Sequence, residues 1–402
     1  MNIIQVNSHT SYSSIGRTTS EMHEVLLAQG HNAHVFCINE SKEENNIHKV
    51  LSFFEYRING IHSRITGLQA YASWLPTKRM LRKWDKIKPD AVILRNLHSD
   101  YVNLPLLLDY CNKNDVAVII VLHDCWFFTG HCALYMAINC NKWKTMCCNC
   151  PGLKNGNPSW FFDRSNKIFK DRLKQFGALN KLYVVGVSKW ITNEARQSPI
   201  FAKAKEILHI YNWISLDIFK PKDTYHLREK HGIENDFVIL GVAQNWSRAK
   251  GFFVFVDIAH RLKDFKVVLI GNIKKELQKY MPENVIATGV LSSTSELADY
   301  FSMSDVFVNP TLQETFGKVT AEALSCGTPC VVNDTTATPE IVGDCGYIVH
   351  NNNIEQLIEG INFIHVKGKQ HFVEKCRNRA EALFDKNKNI SQYLQLFNRL
   401  KR

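Results

Sequence analysis

The chain has 402 residues, enough for two domains or three at roughly 100–200 residues each. Hydrophobic residues make up 45% and charged residues 22%, which excludes a disordered chain, a collagen-like chain and a small disulfide-stapled scaffold. The formal charge of +11 is uneven: residues 1–220 hold 27 Lys and Arg against 17 Asp and Glu, and residues 221–402 hold 22 against 21. A basic first half and a near-neutral second half predict two domains with different partners. The basic half suits anionic headgroups, nucleic acid or a phosphorylated substrate.

No run of about 18 apolar residues is present, which argues against an integral membrane protein. The start, MNIIQVNSHTSYSS, has no basic stretch followed by a long apolar one. A secretory signal is therefore not expected, and a cytoplasmic location is. In such a reducing compartment the twelve cysteines read as metal ligands or buried thiols before disulfides. Six of them fall between Cys125 and Cys150.

In chain order, Asn2–Val6 reads as a buried strand, followed by a polar turn to Gly16 and a helix from about Arg17 to Gln29, stopped by Gly30. Further strands are expected at 33–38, 91–94, 116–122 and 182–186, with helices between them. The second half repeats this grammar with strands at 237–242, 266–270, 285–288, 305–309 and 329–333. Helices are expected at 251–262, 295–303, 319–326 and 354–366. Strands alternating with helices predict two doubly wound α/β domains. The expected boundaries are 1–210, with a Cys-rich insertion at 125–157, then 211–387. A terminal helix, 388–402, has Tyr393, Leu396, Phe397 and Leu400 on one face and is expected to pack back on the first domain. Ligands of such sheets bind beyond the carboxyl ends of the strands.

The most informative segment runs from Asn309 to Pro329. Glu314 lies in a loop after a strand, Phe316-Gly317 turns the chain into a helix, and Glu322 lies on that helix. A helix start offers backbone N–H groups and the positive end of a dipole to a phosphate. One carboxylate before it and one on the helix suit two hydroxyl-bearing groups, as in a nucleotide sugar.

The Glu-x7-Glu spacing, with Phe-Gly inside and Ala-Leu-x-Cys-Gly-Thr-Pro after it, resembles the signature of retaining glycosyltransferases of family 4. The resemblance covers nearly the whole chain. It implies the GT-B architecture, two facing Rossmann-like domains with a catalytic cleft between them. It also implies that Glu322 holds the donor ribose, that Glu314 contacts the transferred sugar, and that the backbone of Phe316, Gly317 and Lys318 lies near sugar and diphosphate.

In Ala243–Gly251, Lys250 matches the family's Lys, which neutralises the departing diphosphate. Gln244 stands where an Arg often is, and Arg248 is the candidate substitute. His123 matches the family's cleft histidine at a strand end, with Asp124 to orient it or to bind acceptor. Same-face attack requires no general base from the protein beyond the leaving phosphate oxygen, so His123 is not assigned as one. Only Gly16 matches the family's acceptor-side glycine loop, in which Ser14 stands where a neighbouring Gly is usual, and Arg17 suits an acceptor phosphate. Cys132, Cys140, Cys147 and Cys150 have spacing that suits a structural zinc, with buried thiols or a redox pair as alternatives. The stretch from His123-Asp-Cys-Trp126 through Gly130-His-Cys132 to Cys150-Pro resembles a subgroup of transferases in capsule and other surface polysaccharides. Met80, Leu81, Trp84 and Ile87, within the basic run 78–88, form an apolar strip that suits either an anionic membrane or the sheet beneath.

The expected activity is retaining transfer from a nucleotide-diphosphate sugar to a lipid-linked or growing surface glycan, with no cofactor needed for the chemistry. Reversible contact with the inner membrane is expected, and nucleic acid is not. A nucleotide-sugar epimerase or a phosphorylase of the same architecture is the alternative. A nucleic-acid module leaves Glu314 and Glu322 without a role. No G-x-G-x-x-G follows the first strand, which argues against a dinucleotide-dependent oxidoreductase.

Overall fold

A computed structural model describes residues 1–10, 13–38, 45–350 and 353–400. The chain divides into two compact units, Met1–Tyr211 with Ile390–Arg402, and Asn212–Asn389.

Unit 1 is built on seven strands: β1 Asn2–Val6, β2 Asn32–Cys37, β3 Ile47–Lys49, β4 Ala91–Leu94, β5 Ala117–Leu122, β6 Leu182–Gly186 and β7 Glu206–His209. They pair in the order β3-β2-β1-β4-β5-β6-β7, every pair parallel. Every residue of β4 and β5 is buried, because helices cover both faces of the sheet. That explains why AVIL and AVIIVL are continuous apolar runs. Strand order reverses between β1 and β4, so the carboxyl ends of these two strands flank the natural ligand crevice.

Unit 2 repeats the pattern with β8 Val238–Asn245, β9 Lys266–Asn272, β10 Val285–Gly289, β11 Val306–Asn309, β12 Cys330–Asn333 and β13 Gly346–Val349. The order is β10-β9-β8-β11-β12-β13, again parallel throughout, and the reversal falls between β8 and β11. The interior strands lie within one to three residues of their expected bounds. The edge strands β3, β7 and β13 were not expected. They are three or four residues long, and IHK and EILH carry no apolar run of three.

The final helix, Lys386–Leu400, starts in unit 2 and runs into unit 1. Ile390, Tyr393, Leu396 and Phe397 are buried. The Phe397 ring meets His31 edge-on at 6.4 Å, and Arg399 pairs with Glu206 at 3.0 Å. Residues 401–402 of the expected helix, and 11–12 of the expected first turn, lie outside the described residues.

One expectation needs correction and one open alternative is decided. Helix α1, Ser13–Ala28, begins four residues before the expected start, so Gly16 belongs to its first turn and not to a loop. A Cβ at Gly16 would lie 3.3 Å from the Thr10 carbonyl carbon, so the glycine serves close backbone packing. Helix α2 is Phe53–Thr66, and the basic run 78–88 falls on helix α3, Trp74–Ile87, and its cap. In α3 the strip Met80, Leu81 and Trp84 is buried on the sheet and is not open to a membrane. Trp84 meets Phe36 and Tyr110 edge-on, with ring centroids 6.0 and 5.7 Å apart. Lys78, Arg79, Arg82, Lys83 and Lys86 form its outer face. Among the described residues no helix is long and apolar enough to cross a membrane.

Trp84→Ala should therefore cost about 3–5 kcal/mol of stability, as a buried aromatic does, whereas Trp74→Ala on the exposed first turn of α3 should stay within about 0.5 kcal/mol. Paired urea melts check this.

Candidate active site

In unit 2 the chain leaves β8 through an exposed turn, Arg248–Lys250, and leaves β11 through residues 310–317. The two loops touch. Gly251 has φ 78°, and a Cβ there would come within 2.7 Å of the Pro310 ring. This closeness sets Lys250 near Glu314. Glu314 is half-buried, and burial pushes its carboxyl above the usual range. The Lys250 charge and the Gly317 N–H pull it back only in part.

The loop bearing Glu314 is pinned along its length. Asn333 Nδ2 donates to the Pro310 carbonyl at 2.8 Å, and Asn309 Nδ2 to Thr320 Oγ1 at 3.1 Å. The Glu314 N–H donates to Thr336 Oγ1 at 3.0 Å, and its carbonyl accepts from the Ala337 N–H at 3.2 Å. Phe316 is buried beneath the loop, edge-on to Phe384 at 5.5 Å, so its backbone is the part that faces outward chemistry. Gly317, with φ 80°, then opens the helix Lys318–Ser325 with no side-chain cap bond. Glu322 lies inside this helix and is 1% exposed.

The structure thus gathers Arg248, Lys250, Glu314, Phe316, Gly317, Lys318 and Glu322 at the carboxyl edge of one sheet. Arg248 and Lys250 are both exposed, and the Arg248 guanidinium lies 4.8 Å from the Phe253 ring centroid. Gln244 is near the end of β8, also exposed. Two mobile-headed cations, a helix start and two carboxylates can bind a diphosphate flanked by hydroxyl groups.

Unit 1 carries its polar residues at the ends of β1, β4 and β5. His123 follows β5, and its Nε2 accepts from Arg95 Nη1 at 3.2 Å. Arginine only donates, so this imidazole is neutral with its Nε2 lone pair occupied. Arg95 was not foreseen. It is 1% exposed, its Nη2 reaches Gln5 Oε1 at 3.4 Å, and burial lowers its pKa. Asp124, expected to orient His123 or to bind acceptor, has partners of its own. Its Oδ2 lies 3.1 Å from His98 Nε2, and its Oδ1 accepts from the Trp126 N–H at 2.9 Å. Burial works against the charged form of His98, but Asp124, with Asp100 behind it, outweighs that and raises its pKa. Asp100 accepts from the Ala70 N–H at 3.0 Å, and burial pushes its pKa up to about 6. Arg17 is half-buried on α1. Cys132, Cys140, Cys147 and Cys150 line one small cavity in the segment after β5, and all twelve cysteines are free thiols.

Residues 235–365, within unit 2, match the profile of the family described as glycosyl transferases group 1. The chain is 24% identical over 241 residues to the N-acetyl-alpha-D-glucosaminyl L-malate synthase of Bacillus anthracis, covering 56% of this chain and 62% of that protein, under two thirds of its length. It is 21% identical over 393 residues to the putative colanic acid biosynthesis glycosyl transferase WcaC of Escherichia coli (strain K12), covering 89% and 90%. Among solved structures, HepE of Anabaena in complex with UDP and glucose aligns over 98% of this chain and 99% of its own, with a TM-score of 0.66 and 14% identity. The fold is that of the GT-B glycosyltransferases.

Because the pKa of Asp100 is raised in the fold, it stabilises unit 1 most at low pH. That contribution is lost as pH rises through about 6. His98, also raised, adds in the same direction. The unfolding free energy of the native chain relative to Asp100→Asn should fall by about 1–3 kcal/mol between pH 4 and pH 7. Urea melts at several pH values check this, and a flat difference would remove the buried-carboxyl account.

Proposed function

We propose that the chain is a retaining glycosyltransferase of family 4. It moves a sugar from a nucleotide-diphosphate donor to a lipid-linked or growing surface polysaccharide. The observation that carries this reading is the joining of Lys250, Glu314 and the Gly317 backbone at the β8–β11 reversal. The diphosphate lies at the start of helix Lys318–Ser325, where Lys250 and Arg248 meet the charge that builds as it departs. Arg248 takes the part that Gln244 cannot, since an amide carries no charge. Glu314 accepts from hydroxyls of the transferred sugar, and Glu322 from those of the ribose. His123, already accepting from Arg95, is not assigned as a base. The acceptor oxygen bonds to the anomeric carbon on the face from which the phosphate oxygen leaves, and the acceptor proton passes to that oxygen. The fold-mate solved with UDP and glucose, and the colanic acid relative, support the donor class and the kind of acceptor.

Lys250→Ala and Glu314→Ala should each lower transfer by at least roughly 100-fold with the fold intact. In the native chain one nucleoside diphosphate, at about 100 times its Kd, should raise Tm by roughly 2–4 °C. Glu322→Ala should abolish that shift. Turnover of a sugar nucleotide without acceptor would favour an epimerase instead.

The reading includes reversible attachment to the cytoplasmic face of the inner membrane, through α2 and not through the buried strip of α3. Helix α2 has the sequence FFEYRINGIHSRIT, and Ser63 is its one buried residue. Phe53 and Phe54 are each 72% exposed, and Ile58, Ile61 and Ile65 are exposed as well. Neighbouring segments extend this surface. The Trp160 N–H donates to the Arg64 carbonyl, and Trp160, Phe161 and Phe162 are exposed, as are Trp74 and Leu75. Cations are interleaved: Lys78 lies over Trp74 at 3.8 Å, and Arg164 over Phe162 at 5.2 Å. The acid on α2, Glu55, is paired with Arg79. Aromatic residues interleaved with unneutralised cations suit an anionic lipid surface. The native chain should sediment with anionic but not neutral vesicles, less so at high salt, and Phe53→Ser with Phe54→Ser should release it. A salt-insensitive dimer broken by the same pair would assign the surface to a second copy.

A further inference from the structure

The segment between β5 and the helix Ser165–Gly177 runs for about forty residues with only three single-turn helices among them, Trp126–Phe128, Met136–Ile138 and Lys142–Lys144. A stretch of that length without regular structure is uncommon inside a compact unit, and something must hold it. All of it is described, and its cysteines are reduced.

We propose that Cys132, Cys140, Cys147 and Cys150 bind one zinc ion, which staples this segment to unit 1. The four thiols line a cavity of about 10 Å³, room for a single ion, together with His131 and Trp143. Cys132 Sγ and Cys150 Sγ are 3.7 Å apart. Four sulfurs at about 2.3 Å from zinc in a tetrahedron are separated by about 3.8 Å, so this pair already spans one edge.

The backbone packs closely around the thiols. A Cβ on Gly152 would lie 2.9 Å from Ile138 Cδ1 and 3.1 Å from Cys132 Sγ, and one on Gly130 would lie 2.3 Å from the Ser165 carbonyl oxygen and 2.7 Å from Cys147 Cβ. The Gly130 N–H donates to Cys147 Sγ at 3.2 Å, the kind of bond that steadies a metal-bound thiolate.

The surroundings want negative charge that neutral thiols do not supply. Trp143 Nε1 is buried beside the cavity without a hydrogen-bond partner. Arg172 is buried in the layer behind, stacked over Trp126 at 3.7 Å, and its Nε and Nη2 also have no partner. Its charge acts on Cys147. A zinc ion with four thiolates carries a net charge of −2, which an adjacent buried guanidinium would offset. A metal bound by thiolates takes the proton's place on each sulfur.

Among the described residues no three His, Cys, Asp or Glu side chains yet converge as a finished ligand set. Loading therefore requires side-chain movement within the cluster. Cys148, the fifth thiol of the cavity, is left out, because the Cys147-x2-Cys150 spacing matches a zinc knuckle and Cys148 falls inside it.

The test is elemental analysis of the full chain purified without added metal or chelator. One zinc per chain is expected. Chelation should lower Tm by more than roughly 5 °C, and added zinc should restore it. Cobalt exchanged into the site should give thiolate-to-cobalt absorption. Cys148→Ser should keep the zinc, whereas Cys147→Ser and Cys150→Ser should lose it. Serine variants can fail to fold, so the decision rests on the native chain. Less than about 0.1 zinc per folded chain, with Tm indifferent to chelator, overturns the proposal. So does iron in the site, or a mass lower by two hydrogens from a Cys132–Cys150 disulfide. None of these readings depends on transfer activity, so the zinc site and the transferase reading stand or fall separately.

Discussion

Gly251 rests against the ring of Pro310 with no room for a methyl group between them. The loop after β8 and the loop after β11 have grown from the two strands where the sheet order reverses, and this contact fixes their separation. It sets a cation beside a carboxylate whose burial already strains its charge. The rest of the unit 2 site follows from it. The loop cannot drift, because Asn333, Asn309 and Thr336 hold it at three further points. The helix beginning at Gly317 therefore starts at a fixed place, and a phosphate meeting it finds donors that need little rearrangement.

Unit 1 uses the same topology with different chemistry. A fully buried arginine, Arg95, reaches both Gln5 at β1 and His123 after β5, crossing the point where the strand order turns. An interior guanidinium is costly, and its expense is met here by rigidity: it fixes the ring of His123 and decides which nitrogen carries the proton. The neighbouring pair, Asp124 with His98, is a separate arrangement at the same edge.

What the sequence made legible follows burial. Strands covered on both faces announce themselves as apolar runs, and β1, β4, β5 and β6 were readable almost to the residue. Strands β3, β7 and β13 were not, since an edge strand such as IHK is stabilised by one neighbour and needs no apolar run. Helix α2 had a readable signal. Ser52-Phe-Phe-Glu55 is a capping box, and both of its hydrogen bonds form. The Glu314–Glu322 segment was legible because its parts are contiguous in sequence. Arg95 with His123, and His98 with Asp124, were not, because each pair is joined only by the folding of distant strands. The strip on α3 shows the limit of periodicity. Spacing gives a face, but only the fold decides whether that face meets lipid or a sheet.

The crossing of the chain at Asn389 also bears on the order of assembly. Unit 2 is an insertion in unit 1, whose last helix comes from the final residues of the chain. Tyr393, buried on that helix, lies beside Arg95, and the charge of each acts on the other. During synthesis the first 211 residues leave the ribosome well before Tyr393 does. Until Tyr393 is made Arg95 lacks part of its cover and unit 1 is incomplete, whereas unit 2 has every residue it needs once Asn389 is made. The later unit in the sequence is thus the first that can finish folding. The surroundings of Arg95 and His123 become complete only after the helix that carries Tyr393.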